Sequence, residues 1–136
     1  MADATVRLQW AGKGLEFDGG APGGPQVRFD GDGKAGISPV QTLIAALAGC
    51  MGADVVDIAV KSRVPFSGLE VVVEGDRRAE PPRRYTKLVI RVTVRGAAEA
   101  DRPKLQRALD LSRDTYCSVL HSIREDIPVD TELVLA

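Results

Sequence analysis

Histidine, cysteine and aromatic side chains are scarce in this sequence, and each shortage removes a class of chemistry. One histidine, His121, and two cysteines, Cys50 and Cys117, fall short of the three or four clustered ligands that a zinc site takes. Two cysteines in 136 residues make no disulfide framework either, and in a cytoplasmic chain such thiols are more often free or catalytic. Trp10, Phe17, Phe29 and Phe66 are too scattered for a base-stacking platform, and no Lys/Arg-rich run accompanies them. With 18 basic residues against 19 acidic ones, nucleic acid is not an expected partner. Glycine is plentiful, but Gly19-Gly20 and Gly23-Gly24 precede no lysine-terminated helix start, so no phosphate-binding or dinucleotide motif is present. The longest apolar stretch, residues 43–60, contains Asp54 and Asp57, whose charges would be costly in lipid; a buried helix is expected there and no membrane span. Residues 1–10 alternate and carry Asp3 and Arg7 where a secretory signal would be continuously apolar, so the expected location is cytoplasmic.

What the sequence does contain is enough apolar material, 44% against 27% charged, to place it among folded globular proteins. The length fits a single domain over residues 1–136 with a core that needs no staples. Residues 5–17 alternate apolar and polar around Gly12 and Gly14, which predicts a hairpin. Residues 19–25, dense in Gly and Pro, predict a mobile loop, and residues 26–29 a third strand. Ser38-Pro39 is a helix start, with a hydroxyl at the N-cap and proline at the first position. Val40, Leu43, Ile44, Leu47, Met51, Val55 and Ile58 then recur at three- and four-residue steps, so a central, closely packed helix is expected to about Arg63, with Pro65 beyond it. Residues 69–76 and 85–94 alternate valine with charge, as antiparallel strands do, around a Pro81-Pro82 turn. Residues 100–114 and 116–124 read as two helical stretches with a kink between them, and residues 131–135 as a last strand. The order βββ, α, ββ, αα, β defines an α+β architecture.

Cys50 falls mid-helix among Ala and Gly, where a free cysteine also serves simply as a small buried hydrophobe. His121 follows Cys117 by four residues, on one helix face with it, and a surface or packing role suits it better than metal binding. Asp54 and Asp57, three residues apart, are read as capping or pairing at the wet end of the helix rather than as catalytic carboxylates.

The run from Ser38 to Cys50, SPVQTLIAALAGC, resembles the first cysteine helix of the OsmC/Ohr family of organic hydroperoxide reductases. Asp54-Val55-Val56-Asp57-Ile58, and Leu109-Asp110-Leu111-Ser112 through Tyr116-Cys117-Ser118-Val119, are similar to the OsmC-like subgroup, and the likeness covers nearly the whole chain. The resemblance implies an N-terminal β-meander, a long central helix and an intertwined homodimer with active sites at the subunit interface. It further implies a peroxidatic Cys50, a resolving Cys117 and an activating arginine, for which Val27-Arg28-Phe29-Asp30-Gly31 supplies Arg28. The substrate implied is a small organic peroxide, and an external dithiol rather than a bound cofactor or metal resets the thiols. Family members carry a glutamate ten residues before the cysteine, where this sequence has Val40 with Gln41 beside it. Weakened peroxidase activity is therefore expected, with Asp30 and Asp32 as substitute partners for Arg28. Two alternatives remain open: a binding or redox-sensing module that keeps the fold for a small apolar ligand, and another thiol chemistry such as acyl transfer by Cys50 alone.

Overall fold

The computed structural model describes residues 2–136, which divide into two compact units, one ending at Leu43 and one spanning Ile44–Ala136. The N-terminal unit is an antiparallel meander of β1 (Arg7–Trp10), β2 (Glu16–Gly20) and β3 (Val27–Asp30). The expected loop over residues 19–25 begins later than its glycines suggest, because Gly19 and Gly20 finish β2. Gly19 pairs with Leu8 on one side and Val27 on the other, and a Cβ there would fall on the Arg7 carbonyl oxygen. Its glycine is a close-approach residue inside a strand.

Helix α1 (Pro39–Lys61) starts where Ser38-Pro39 predicts and runs on into the second unit. Its cap is reciprocal: the Gln41 backbone N–H donates to Ser38 Oγ, and the Ser38 N–H donates to Gln41 Oε1, both at 3.3 Å. The helix ends at Lys61, before Pro65, as Arg63 turns into the left-handed region at φ 57°.

The second unit holds one sheet, in the order β4 (Gly68–Arg77), β5 (Tyr85–Arg95), β6 (Val129–Leu135). β4 and β5 are antiparallel, and β5 and β6 parallel, so the chain crosses over between the latter two through α2 (Arg102–Leu111). β5 is central and alternates strictly: Leu88, Ile90, Val92 and Val94 are buried. They share the interior with Leu47, Met51, Val55 and Ala59 of α1 and Leu105, Ala108 and Leu109 of α2. Each fully buried aliphatic side chain of this kind contributes about 1.5–3 kcal/mol relative to exposure. Helix α1 approaches β4 closely at Gly52, where an added Cβ would sit 3.2 Å from Val71 Cγ2.

Two expectations need correction. The buried stripe of α1 is narrower than the sequence predicts: within the C-terminal unit it is confined to Leu47, Met51, Gly52, Val55 and Ala59, while Ile44 and Ile58 are only half-buried. The periodicity marks an apolar helix on more than one face, and within this unit only one of them is buried. The expected helix over residues 116–124 is also absent. After α2 the backbone widens into a π-helical turn, Ser112–Tyr116, which the Cys117 N–H closes onto the Ser112 carbonyl at 2.9 Å. Cys117 is then extended (φ −71°, ψ 98°), and only the short 3-10 turn Leu120–Ser122 follows. The extra residue in the π turn redirects the chain so that Cys117 faces the core and Tyr116 faces out.

Candidate thiol site

The C-terminal unit brings Cys50 and Cys117 together. Cys50 is half-buried on α1, Cys117 is wholly buried beyond the π turn, and the two thiols lie near enough to influence one another electrostatically. Burial, first, and the nearby Cys50 thiol push the Cys117 thiol up to about 11, although the Leu120 backbone N–H, donating to its sulfur at 3.4 Å, works in the opposite direction. Cys117 is therefore a neutral thiol at physiological pH, and Cys50 is the member of the pair that a solute can reach.

This asymmetry has a measurable consequence. At pH 8 iodoacetamide is expected to label Cys50 in the folded protein and Cys117 only after unfolding; equal labelling of both in the native state would contradict the burial. The sign of the pH dependence follows from the raised value. The folded state holds the Cys117 proton more tightly than the unfolded state, so its contribution to stability is complete below the ordinary thiol value and is lost as pH rises through about 11.

The neighbouring polar groups are spent on structure. Ser112 Oγ, buried in the π turn, donates to Asp54 Oδ2 at 2.8 Å and so ties that turn to α1. Asp57 pairs with Lys61 one turn on, at 2.8 Å. His121 directs its ring to the Cys117 carbonyl oxygen, 2.8 Å from Nδ1, which requires the proton on Nδ1. The imidazole of this exposed residue is bonded to the backbone here.

Arg28 belongs to the N-terminal unit, and the residues that hold it are ones sequence reasoning missed. It sits opposite Asp18 in the β2/β3 register. Its Nη2 donates to Asp18 Oδ2 at 2.9 Å, its Nε donates to Asp18 Oδ1, and its Nη1 donates to Glu16 Oε1 at 2.6 Å. This fork-like contact raises the guanidinium's pKa and lowers that of the Asp18 carboxyl. Asp30 and Asp32, the expected partners, do not bond to Arg28. The buried Asp30 carboxylate instead accepts the backbone N–H groups of Ala35 and Asp32, each at 2.9 Å, and of Lys34 at 3.2 Å, and these bonds hold its carboxyl below the usual range. Two-residue alternation in Glu16-Phe17-Asp18, facing an arginine across a short hairpin, was the available signal. Gln41, the polar residue beside Val40, is committed to the α1 cap.

A two-sheet α+β chain with a cysteine on its long helix and a second, buried cysteine near it defines a thiol-pair protein of recognisable construction. Comparison with known proteins is specific. The family described as OsmC-like protein matches residues 31–132. Protein YhfA of Escherichia coli K12 is 37% identical over 115 residues, 84% of each chain. The crystal structure of a hypothetical protein from Aquifex aeolicus VF5 superposes with a TM-score of 0.87 at 24% identity, covering 100% of this chain and 98% of that one. The organic hydroperoxide resistance protein OhrB of Bacillus subtilis shares the fold more distantly, at a TM-score of 0.58 and 20% identity over 99% and 98% of the two chains. The chain belongs to the OsmC-like protein family.

Proposed function

We propose that the protein reduces organic hydroperoxides through Cys50 and Cys117. The observation that carries this reading is the proximity of an accessible thiol to a buried one, both free, in a family whose distant structural neighbours include a protein named for organic hydroperoxide resistance. In the proposed cycle the Cys50 thiolate attacks one peroxide oxygen, the O–O bond breaks, and the departing alkoxide takes a proton to leave as an alcohol. Cys50 is left as a sulfenic acid. The Cys117 sulfur then attacks it, water departs with the Cys117 proton, and a Cys50–Cys117 disulfide remains. Two thiol equivalents from an external reductant restore the pair.

In this reading Arg28 stays the candidate activating residue, its charge already shared between Asp18 and Glu16. Modest turnover follows. Cumene hydroperoxide and hydrogen peroxide, each supplied with dithiothreitol, provide the test. The reading predicts faster consumption of the organic peroxide, and consumption no faster than without protein for either compound would end it.

Exposed apolar side chains in each unit support a homodimer with its active sites at the subunit interface. In the first unit they are Leu8, Trp10, Leu15 and Phe17, and in the second Val56 and Val60 of α1. A solution mass of twice the 14.5 kDa chain is the expected result, and a monomer would refute this part of the proposal. The binding-module alternative has one observation in its favour. Within the N-terminal unit, Leu8, Leu15, Phe17, Phe29, Pro39 and Thr42 line an almost wholly apolar hollow of about 630 Å³, large enough for a small apolar ligand. Binding of such a ligand that survives Cys50→Ser, without peroxide turnover, would favour it.

A further inference from the structure

Among the described residues of the C-terminal unit, Ser112 is the one fully buried residue that carries an aliphatic hydroxyl. A hydroxyl shut away from water needs a partner, and all three polar groups of this residue have one. Its N–H is shared between the Ala108 and Leu109 carbonyls and so completes α2. Its carbonyl accepts the Cys117 N–H at 2.9 Å, and its Oγ donates to Asp54 Oδ2 at 2.8 Å. Among the described residues this last bond is the one hydrogen bond that joins α1 to the α2/π-turn segment. Asp54 is half-buried and makes no ion pair among the described residues, whereas Asp57, three residues on, takes Lys61.

These bonds close a loop through the thiols. Cys50 and Asp54 stand four residues apart, one turn along the same face of α1. From Asp54 the loop crosses to Ser112, and from the Ser112 carbonyl to the Cys117 amide; the Cys117 sulfur then lies near Cys50 again. Every link between the two cysteines on this route is a helical turn or a hydrogen bond, so the Asp54–Ser112 clip governs where Cys117 stands relative to Cys50. The requirement is strict. A disulfide forms only with Cα atoms about 4.4–6.8 Å apart and the side chains suitably turned, and misplacing a reacting group by ~1 Å costs on the order of 100-fold in rate.

We infer that Asp54 and Ser112 are positioning residues for the Cys50–Cys117 pair, their hydrogen bond holding the π turn against α1 and with it the Cys117 sulfur within reach of Cys50. The inference deepens the peroxidase reading and rests on it only for the step in which the Cys117 sulfur displaces hydroxide from the Cys50 sulfenic acid. There the S–S bond forms, the S–O bond breaks, and the hydroxide leaves as water with the Cys117 proton. The clip asks for an acceptor oxygen at residue 54 and not for a charge. Asp54→Asn therefore keeps it, while Asp54→Ala and Ser112→Ala each break it.

Equilibration of the purified protein with dithiothreitol mixtures, from all reduced to almost all oxidised, measures the stability of the disulfide with no peroxide present. The protein pair loses two electrons as oxidised dithiothreitol gains them, and alkylation with mass spectrometry counts the disulfide. Ser112→Ala and Asp54→Ala are each expected to destabilise it about tenfold, which raises its reduction potential by about 30 mV. Asp54→Asn should stay within about twofold of wild type, and the double variant Asp54→Ala/Ser112→Ala should lose no more than either single one, because the same bond is removed. After one equivalent of cumene hydroperoxide, a dimedone-reactive Cys50 should persist about tenfold longer in Ser112→Ala than in wild type. An unchanged equilibrium in both alanine variants, losses that add in the double variant, Asp54→Asn as impaired as Asp54→Ala, or a wild-type pair that stays reduced in every mixture would overturn the inference. The expected dithiothreitol pattern in a protein that consumes no peroxide would uphold the clip and end the peroxidase reading.

Discussion

Cys50→Ser is expected to reduce peroxide consumption to the rate seen without protein, because a serine hydroxyl is neither ionised nor oxidisable under conditions where a thiolate attacks. Cys117→Ser should behave differently. Its Cys50 still meets peroxide, so a first equivalent is consumed, but the sulfenic acid has no thiol against it. That variant should accumulate a dimedone-reactive Cys50 and then over-oxidise to the sulfinic acid, with steady turnover depressed on the order of 100-fold. The difference follows from position: one sulfur is half-exposed on α1 and the other fully enclosed. Equal and complete loss of the first equivalent in both variants would assign Cys117 a part in the attack itself and contradict these roles.

The second large effect concerns the scaffold that holds the pair. Ile90, on the central strand β5, is fully buried among the aliphatic residues of α1 and α2. Ile90→Ala removes three carbons from an interior with no route for solvent to replace them, at a cost of about 2–5 kcal/mol. For a chain of this length that corresponds to a drop in Tm of about 10 °C. Val72→Ala on the neighbouring strand, where the side chain is exposed, should cost less than about 1 kcal/mol. Comparable losses in the two variants, read by thermal denaturation, would mean that the interior lies elsewhere.

Secondary structure was legible wherever one physical rule governed a segment. Ser38-Pro39 marked the start of α1, and the alternation of Leu88, Ile90, Val92 and Val94 marked β5, because capping and two-sided pleating act locally. Sequence reading failed where the outcome depended on a partner distant in the chain. Gly19 reads as a loop residue until β1 lies beside it, and the π turn at Ser112–Tyr116 breaks the helical pattern just before the buried Cys117. The candidate site divides in the same way. Resemblance located both cysteines, and the fold places them close together, whereas the partners of Arg28 came from the strand before it and not from the nearer Asp30 and Asp32. Asp30 lies closer in sequence, but its carboxylate is occupied by three backbone amides of its own turn. Proximity in sequence carried no information about which carboxylate was available.

The account stands most directly on whether the two thiols form one redox unit. One equivalent of cumene hydroperoxide, followed by alkylation of remaining thiols, proteolysis and mass spectrometry, measures it. The account predicts an intramolecular Cys50–Cys117 disulfide that dithiothreitol reverses and that neither Cys50→Ser nor Cys117→Ser can form. Cys50 recovered as a free thiol or as a stable sulfinic acid, with Cys117 still reduced in the wild-type protein, would contradict it.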